Sequence, residues 1–331
     1  MKIDFSKAIT APVLFMVFNR PEKTRQVFEM IRAVRPEKLY VAIDHPREGR
    51  QDDEVNCAKV KAIVENVDWL CEAHYLYHPE NRGCTLAGKM AWDWLFEHED
   101  RMIFLEDDGL VTRSFFYFCD YLLKKYEDDE QIGYISGINH GLQKKDGSSY
   151  FFTRLSPSTY AMATWRRTYC KYEYKMESYP QFRDTKEFKD SFESPFTYRF
   201  FRKIFDRYIK YGGNTYDTQM CYLVHKHRLI NIVPNVNMTS NIGFDSGAHG
   251  SALMANNPLA NRQRYEVVDI IECCDKTIDS DFERKYTTLR LLYGESRFKY
   301  LIKHHTIFFM KNLFACVFRR FLVFRGRICR G

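Results

Sequence analysis

Three adjacent acids, Glu106, Asp107 and Asp108, follow directly on the apolar run 102–105. Such a run reads as a buried strand, which puts the acids at the edge of a sheet. Carboxylates crowded there repel each other. At an effective dielectric of ~20, unit charges ~4 Å apart cost about 4 kcal/mol. A divalent cation relieves that cost, and hard oxygen ligands suit Mg2+ or Mn2+. The ion would then neutralise a departing diphosphate. The plainer alternative is that Asp107-Asp108-Gly109 is a turn closing a strand.

The surrounding elements must hold those acids. Residues 12–18 are apolar and lead into Asn19-Arg20-Pro21, then a helix with Val27, Met30, Ile31 and Val34 on one face. A second strand, 39–43, ends at Asp44. A polar helix over 52–67 follows, then a strand at 74–77, a turn at Asn81-Arg82-Gly83 and a helix over 85–97. Strands separated by helical segments predict an α/β fold: a mostly parallel, Rossmann-like sheet flanked by helices. Ligands of such sheets bind beyond the carboxyl ends of the strands. Those ends carry Asn19 and Arg20, Asp44, Asn81 and Arg82, and Glu106 to Asp108. Farther on, 164–178, 196–211 and 215–227 read as helices. The expected division is 1–150 as a nucleotide-sugar-binding half, 151–260 as the half that completes the site, and 261–331 as a helical extension.

Composition narrows the class. The chain has 331 residues, 45% hydrophobic and 28% charged, with a mean hydropathy of −0.45, which excludes disorder, fibres and coiled-coil rods. Aromatics reach 16%, so core and ligand groove should be rich in rings. No window holds ~18 uninterrupted apolar residues, which argues against a conventional transmembrane helix. Ten cysteines without a CxxC pair fit reduced thiols in a cytosolic protein. The net charge is +7, yet residues 296–331 hold nine Lys or Arg and no acid. Taking those nine away leaves −2 for residues 1–295. A near-neutral body argues against nucleic acid. The basic tail interleaves Phe308, Phe309, Phe314, Phe318, Phe321 and Phe324 with Arg319, Arg320, Arg325 and Arg327. It reads as an amphipathic helix in an anionic membrane interface, or as a helix docked on protein.

The residues 103–108, with Phe115-Phe116 beyond them, resemble the metal motif of glycosyltransferases of the A-type (GT-A) fold. Phe18-Asn19-Arg20-Pro21 is similar to the family's loop after the first strand, where an Arg meets the nucleotide. Ile43-Asp44 is similar to the second-strand site whose Asp reads the base. Asn241-Ile242-Gly243-Phe244 through Gly247-Ala248-His249-Gly250 resembles the late loop whose His nears metal and diphosphate. The group most resembled is the inverting N-acetylglucosaminyltransferases that open complex N-glycans, with their bacterial relatives. The resemblance covers about residues 12–250. It implies an acceptor-side base, and Asp217 in Asn214–Gln219 stands where the family keeps that carboxylate. Asp217 also suits the first turn of a helix through Met220, Leu223 and Val224; Asp206 and Asp245 are the fallbacks.

The expectation is therefore a metal-dependent inverting glycosyltransferase using a UDP-sugar, peripheral on the cytoplasmic membrane face. It would serve surface polysaccharide synthesis on a glycan or lipid-linked acceptor. Arg20 and Asp44 hold the nucleotide, with Asn19, Arg82 and Lys89 in reach of it. Asp108 ligates Mn2+ or Mg2+ together with His249. Glu106 and Asp107 support metal and sugar, Trp165 lies under the sugar, and Asp217 is the base. Two alternatives share parts of this pattern. A sugar-nucleotide nucleotidyltransferase would need a Gly-rich phosphate loop, and residues 12–21 contain no Gly. A non-catalytic membrane-associated binding protein would not need acids recurring at strand ends.

Overall fold

The computed structural model describes residues 1–144, 146–155, 159–213, 215–243 and 262–288. Residues from Met1 to Glu283 form one compact unit; a second unit begins at Arg284. The first carries β1 (Val13–Val17), α1 (Pro21–Val34), β2 (Lys38–Ile43), α2 (Gln51–Val64), β3 (Glu72–Tyr77) and α3 (Gly83–His98). Then come β4 (Arg101–Glu106), β5 (Gly109–Val111), α4 (Arg113–Lys125), β6 (Ile132–Ser136), β7 (Tyr150–Thr153) and β8 (Ala161–Trp165). The chain continues through the single-turn helices α5 (Arg166–Tyr169), α6 (Tyr179–Phe182) and α7 (Lys186–Lys189) to α8 (Pro195–Tyr211) and α9 (Asp217–Lys226). β9 (Ile230–Pro234), β10 (Thr239–Asn241) and α10 (Ser280–Tyr286), whose last turn passes Glu283, are the remaining elements among the described residues.

Eight strands form one sheet in the order β3-β2-β1-β4-β8-β6-β9-β7, and β10 pairs with β5 in a small second sheet. Four of the seven pairings in the large sheet are parallel: β2 with β3, β1 with β2, β1 with β4, and β6 with β9. Strands buried on both faces read as continuous apolar runs, as VLFMV in β1 and MIFL within β4 do. Side chains alternate between the two faces. Val13, Phe15, Val17, Val41, Ile103 and Leu105 join the cluster under α1, α2 and α4. Leu14, Tyr40, Ala42, Met102 and Phe104 join the cluster under α3 and α9. Helices therefore cover both faces, as the alternating pattern predicts.

Local signals place the helix ends. Pro21 opens α1, where its missing N–H costs nothing. Val27, Phe28, Ile31 and Val34 give α1 its buried stripe. A third cluster, of rings on α6 to α9 and the segment before α8, packs Tyr179, Phe188, Phe192, Tyr198, Phe205 and Tyr222 together.

Two expectations change. Residues 164–178 are not one helix: residues 161–165 are β8, antiparallel to β4 and β6, and only α5 follows. Small Ala161 and Ala163 and β-branched Thr164 fit a strand enclosed on both faces. The described start of the extension is not helical. Described residues 262–279 run outside any helix or named strand, with bridges Lys2 to Asp269 and Phe152 to Ile278, and α10 starts at Ser280. Among the described residues no helix is long and apolar enough to cross a membrane.

Candidate active site

Register decides where the polar residues go. Val17 pairs with Ile43, Ile43 with Tyr77, and Met16 with Glu106. The carboxyl ends of β1 to β4 thus lie on one edge, with Arg20, Asp44, His78 and the acidic triplet just beyond them. Glu106 continues the even-numbered face of β4 and turns toward α3 and α9. Asp107 and Asp108 are buried at 3% and 7% exposure, while Glu106 is half-buried.

Arg20 clamps the pair behind it. Its Nε donates to Asp107 Oδ2 at 3.1 Å, one terminal nitrogen donates to Asp107 Oδ1, and the other to Asp108 Oδ2 at 2.7 Å. Asn241 Nδ2 donates to Asp108 Oδ1 at 3.2 Å, and the Ile242 N–H donates to the Asp108 carbonyl at 2.9 Å. A Cβ at Gly243 would collide with Asp108 Oδ2 and approach an Arg20 terminal nitrogen to 3.0 Å. Glycine there leaves room for that carboxylate.

The helix α9 brings the fourth acid. Asp217 begins α9 and accepts from Thr159 Oγ1, and its neighbour Tyr216 donates its hydroxyl to Glu106 Oε1. Tyr216 packs edge-on against Phe104 and close to Gly88 of α3, which fixes its ring across the strand end. Desolvation, then the charges of Asp108 and Asp217, raises the Glu106 carboxyl well above its ordinary range. Desolvation also lifts Asp107 from 3.8 to about 6, outweighing the lowering by Arg20. Four carboxylates gather here, three of them acting on one guanidinium with Lys23 adding a weaker positive field at Asp107, so acidic groups outnumber basic ones.

Cys84, second residue of α3, lies within the field of the same acids. Desolvation, then Glu106, Asp217, Asp108 and Asp107, pushes its thiol far up, although the residue is exposed. Desolvation first and the four acids second keep the thiol protonated. Of these contacts, sequence reasoning had Asp217 and Asn241. It missed Tyr216, Cys84, Thr159 and the steric role of Gly243. Adjacency to Asp217 is the one signal that could have flagged Tyr216.

Asp44 has another task on display. Its carboxylate accepts from the backbone N–H of His45 (3.0 Å), Arg82 (2.9 Å) and Gly83 (3.0 Å) and from Asn81 Nδ2 (3.1 Å). It thereby satisfies two of the orphan donors that open α3. Beside it His78 is buried with neither ring nitrogen partnered, and desolvation holds it below its ordinary value. Asn19 Nδ2 donates to Asp53 at 2.6 Å, and Asp53 is also gripped by Arg47 at 2.5 and 2.8 Å. The side chain of Arg82 pairs with Glu80, and Lys89 pairs with Asp93 one turn along α3.

Trp165 is not brought to the acids. It pairs in register with Arg101, at the opposite end of β4 from Glu106. Its indole donates to the Leu123 carbonyl at 3.0 Å, and Arg167 covers its ring at 4.2 Å. Asp206 lies on α8 in a network with Tyr179, Arg183 and Arg202, away from the cluster. His249 and Asp245 lie outside the described residues.

Oxygen donors and the excess of acidic over basic groups fit a hard divalent cation. Among the described residues no three His, Cys, Asp or Glu side chains are arranged to hold one alone. An ion held by one or two carboxylates and completed by a ligand's phosphate oxygens is compatible with both facts.

No protein-family model matches the chain, and no curated protein matches it. Among solved structures, a mannosyltransferase from Pyrobaculum calidifontis in complex with GDP-Man and Mn2+ is similar at 11% identity and a TM-score of 0.36. That match covers 68% of this chain and 72% of the other. A UDP-glucose pyrophosphorylase complexed with UDP-glucose is similar at 10% identity and a TM-score of 0.35, covering 76% of this chain and 97% of the other. Likenesses this distant carry no information about activity.

Proposed function

We propose that this chain is a metal-dependent, inverting glycosyltransferase that moves a sugar from a UDP-sugar to a glycan or lipid-linked acceptor in surface polysaccharide synthesis. One observation carries the reading: carboxylates from the end of β4 and the start of α9 meet at the carboxyl edge of the parallel strands with a single guanidinium among them. In the proposed transfer, the acceptor oxygen forms a bond to the anomeric carbon. The bond from that carbon to the diphosphate oxygen breaks, and the acceptor proton passes to Asp217. Glu106, held by Tyr216, orients sugar hydroxyls. Arg20 turns from its acids to the phosphates. Asp44 serves the nucleotide by fixing the first turn of α3, and His78 offers it ring nitrogens. Mn2+ or Mg2+, held by Asp108 and His249, would supply the positive charge that a leaving diphosphate requires. Residues 1–150 form the donor half and 151–260 the acceptor half. The basic aromatic tail keeps the protein on the inner membrane face.

Calorimetry of UDP-, GDP- and dTDP-sugars with Mn2+ tests the reading. One UDP-sugar should bind, and Asp108→Ala should lose that binding while melting normally. No binding by the wild-type chain, or undiminished binding by Asp108→Ala, would overturn it.

A further inference from the structure

The outer side of α8 carries four cations, of which Lys210 lies over the Tyr211 ring at 4.9 Å. Arg199, Lys203, Arg207 and Lys210 recur at steps of four, four and three residues, so they share one stripe. All four are exposed. Among the described residues none of them is in an ion pair. The helix's acid, Asp206, pairs instead with Arg183 at 3.1 Å and Arg202 at 3.7 Å. The opposite face anchors the helix through buried Thr197, Tyr198 and Phe205. Like charges one turn apart repel, so the stripe works against the isolated helix.

Its border is apolar. Phe200 and Ile204 are half-buried beside the cations, and Tyr211 at the end of the helix is 71% exposed. Beyond Tyr211 the chain reaches Gly213, whose carbonyl accepts from Thr85 Oγ1 at 3.3 Å in the first turn of α3. Thr85 follows Cys84, so the chain beyond the stripe meets the first turn of α3 next to the residue that feels the acids.

We propose that the outer face of α8 docks on an anionic lipid bilayer. Its cations match headgroup phosphates, and the rings and Ile204 enter the interface beside them. A soluble polyanion would be met by the cations but would leave the apolar border unused. The four cations are separate in sequence from the basic C-terminal tail, and the proposal does not depend on the chemistry of the acids.

The test is co-sedimentation of the full chain with phosphatidylglycerol–phosphatidylcholine vesicles and with phosphatidylcholine alone. The wild type should bind the anionic vesicles, and added salt should weaken binding. Changing Arg199→Gln, Lys203→Gln, Arg207→Gln and Lys210→Gln together should weaken it at least tenfold with the melting temperature kept. A control with four exposed cations replaced elsewhere, Lys2→Gln, Arg25→Gln, Lys59→Gln and Lys189→Gln, should bind nearly as wild type. Wild-type chain that ignores the vesicles, or that binds dextran sulfate and not lipid, overturns the proposal. So does a stripe variant that binds normally, or a control that loses as much.

Discussion

The buried position of Asp107 makes a quantitative demand on pH. In the folded chain its carboxyl sits at about 6, against an ordinary 3.8. Between those values the folded protein holds a proton that the unfolded chain has released. Stability must therefore fall as pH rises through about 6. The full difference is about 3 kcal/mol. Between pH ~7.5 and ~5 the recoverable part is about 1 kcal/mol, or a few degrees in Tm for a domain of this size. His225 acts oppositely. Its burial lowers it to about 3, so the unfolded chain binds a proton first and stability is lost as pH falls below 6.5. The quantity to measure is thus a difference of differences. Urea unfolding of wild type and Asp107→Asn, both in EDTA, should be compared at the two pH values. His225 cancels. The wild type should gain about 1 kcal/mol more than the variant on acidification. Glu106, raised by the same burial, is present in both proteins and cancels likewise. Equal slopes, or a larger gain by the variant, would refute a desolvated carboxylate at this edge.

Other perturbations probe the same crevice. Asp217→Asn should lower sugar transfer by roughly 10²- to 10⁴-fold while donor binding in calorimetry persists, and near-normal turnover would move the base elsewhere. Arg20→Ala leaves Asp107 without its guanidinium and should cost about 3 kcal/mol in urea unfolding at neutral pH. Gly243→Ala pushes a methyl group into Asp108 and should cost about 1–3 kcal/mol, with Mn2+-dependent donor binding lost. Cys84 should react slowly with a neutral maleimide at neutral pH, and Mn2+ plus donor should protect it in peptide mapping. Labelling unaffected by donor would place Cys84 outside the binding crevice.

The sequence by itself determined the framework of the first half. Apolar runs the length of one strand, the Pro21 helix start and the 3.6-residue spacing in α1 are local signals. They sufficed to place β1 to β4 and the acids at their ends. The sequence also marked α8 and α9 within two residues of their observed bounds. It failed at 161–165, where an enclosed antiparallel strand has no local signature separating it from a buried helix. Only the tertiary structure decided which polar groups meet. Tyr216 reaches Glu106 across 110 positions and Asn241 reaches Asp108 across 133. Only the fold showed that Asp44 is spent on the N-terminus of α3 and that Trp165 belongs to the far end of its strand. The reason is that local periodicity states which face a residue takes, whereas register and strand order state what stands opposite. Those depend on packing the whole sheet at once.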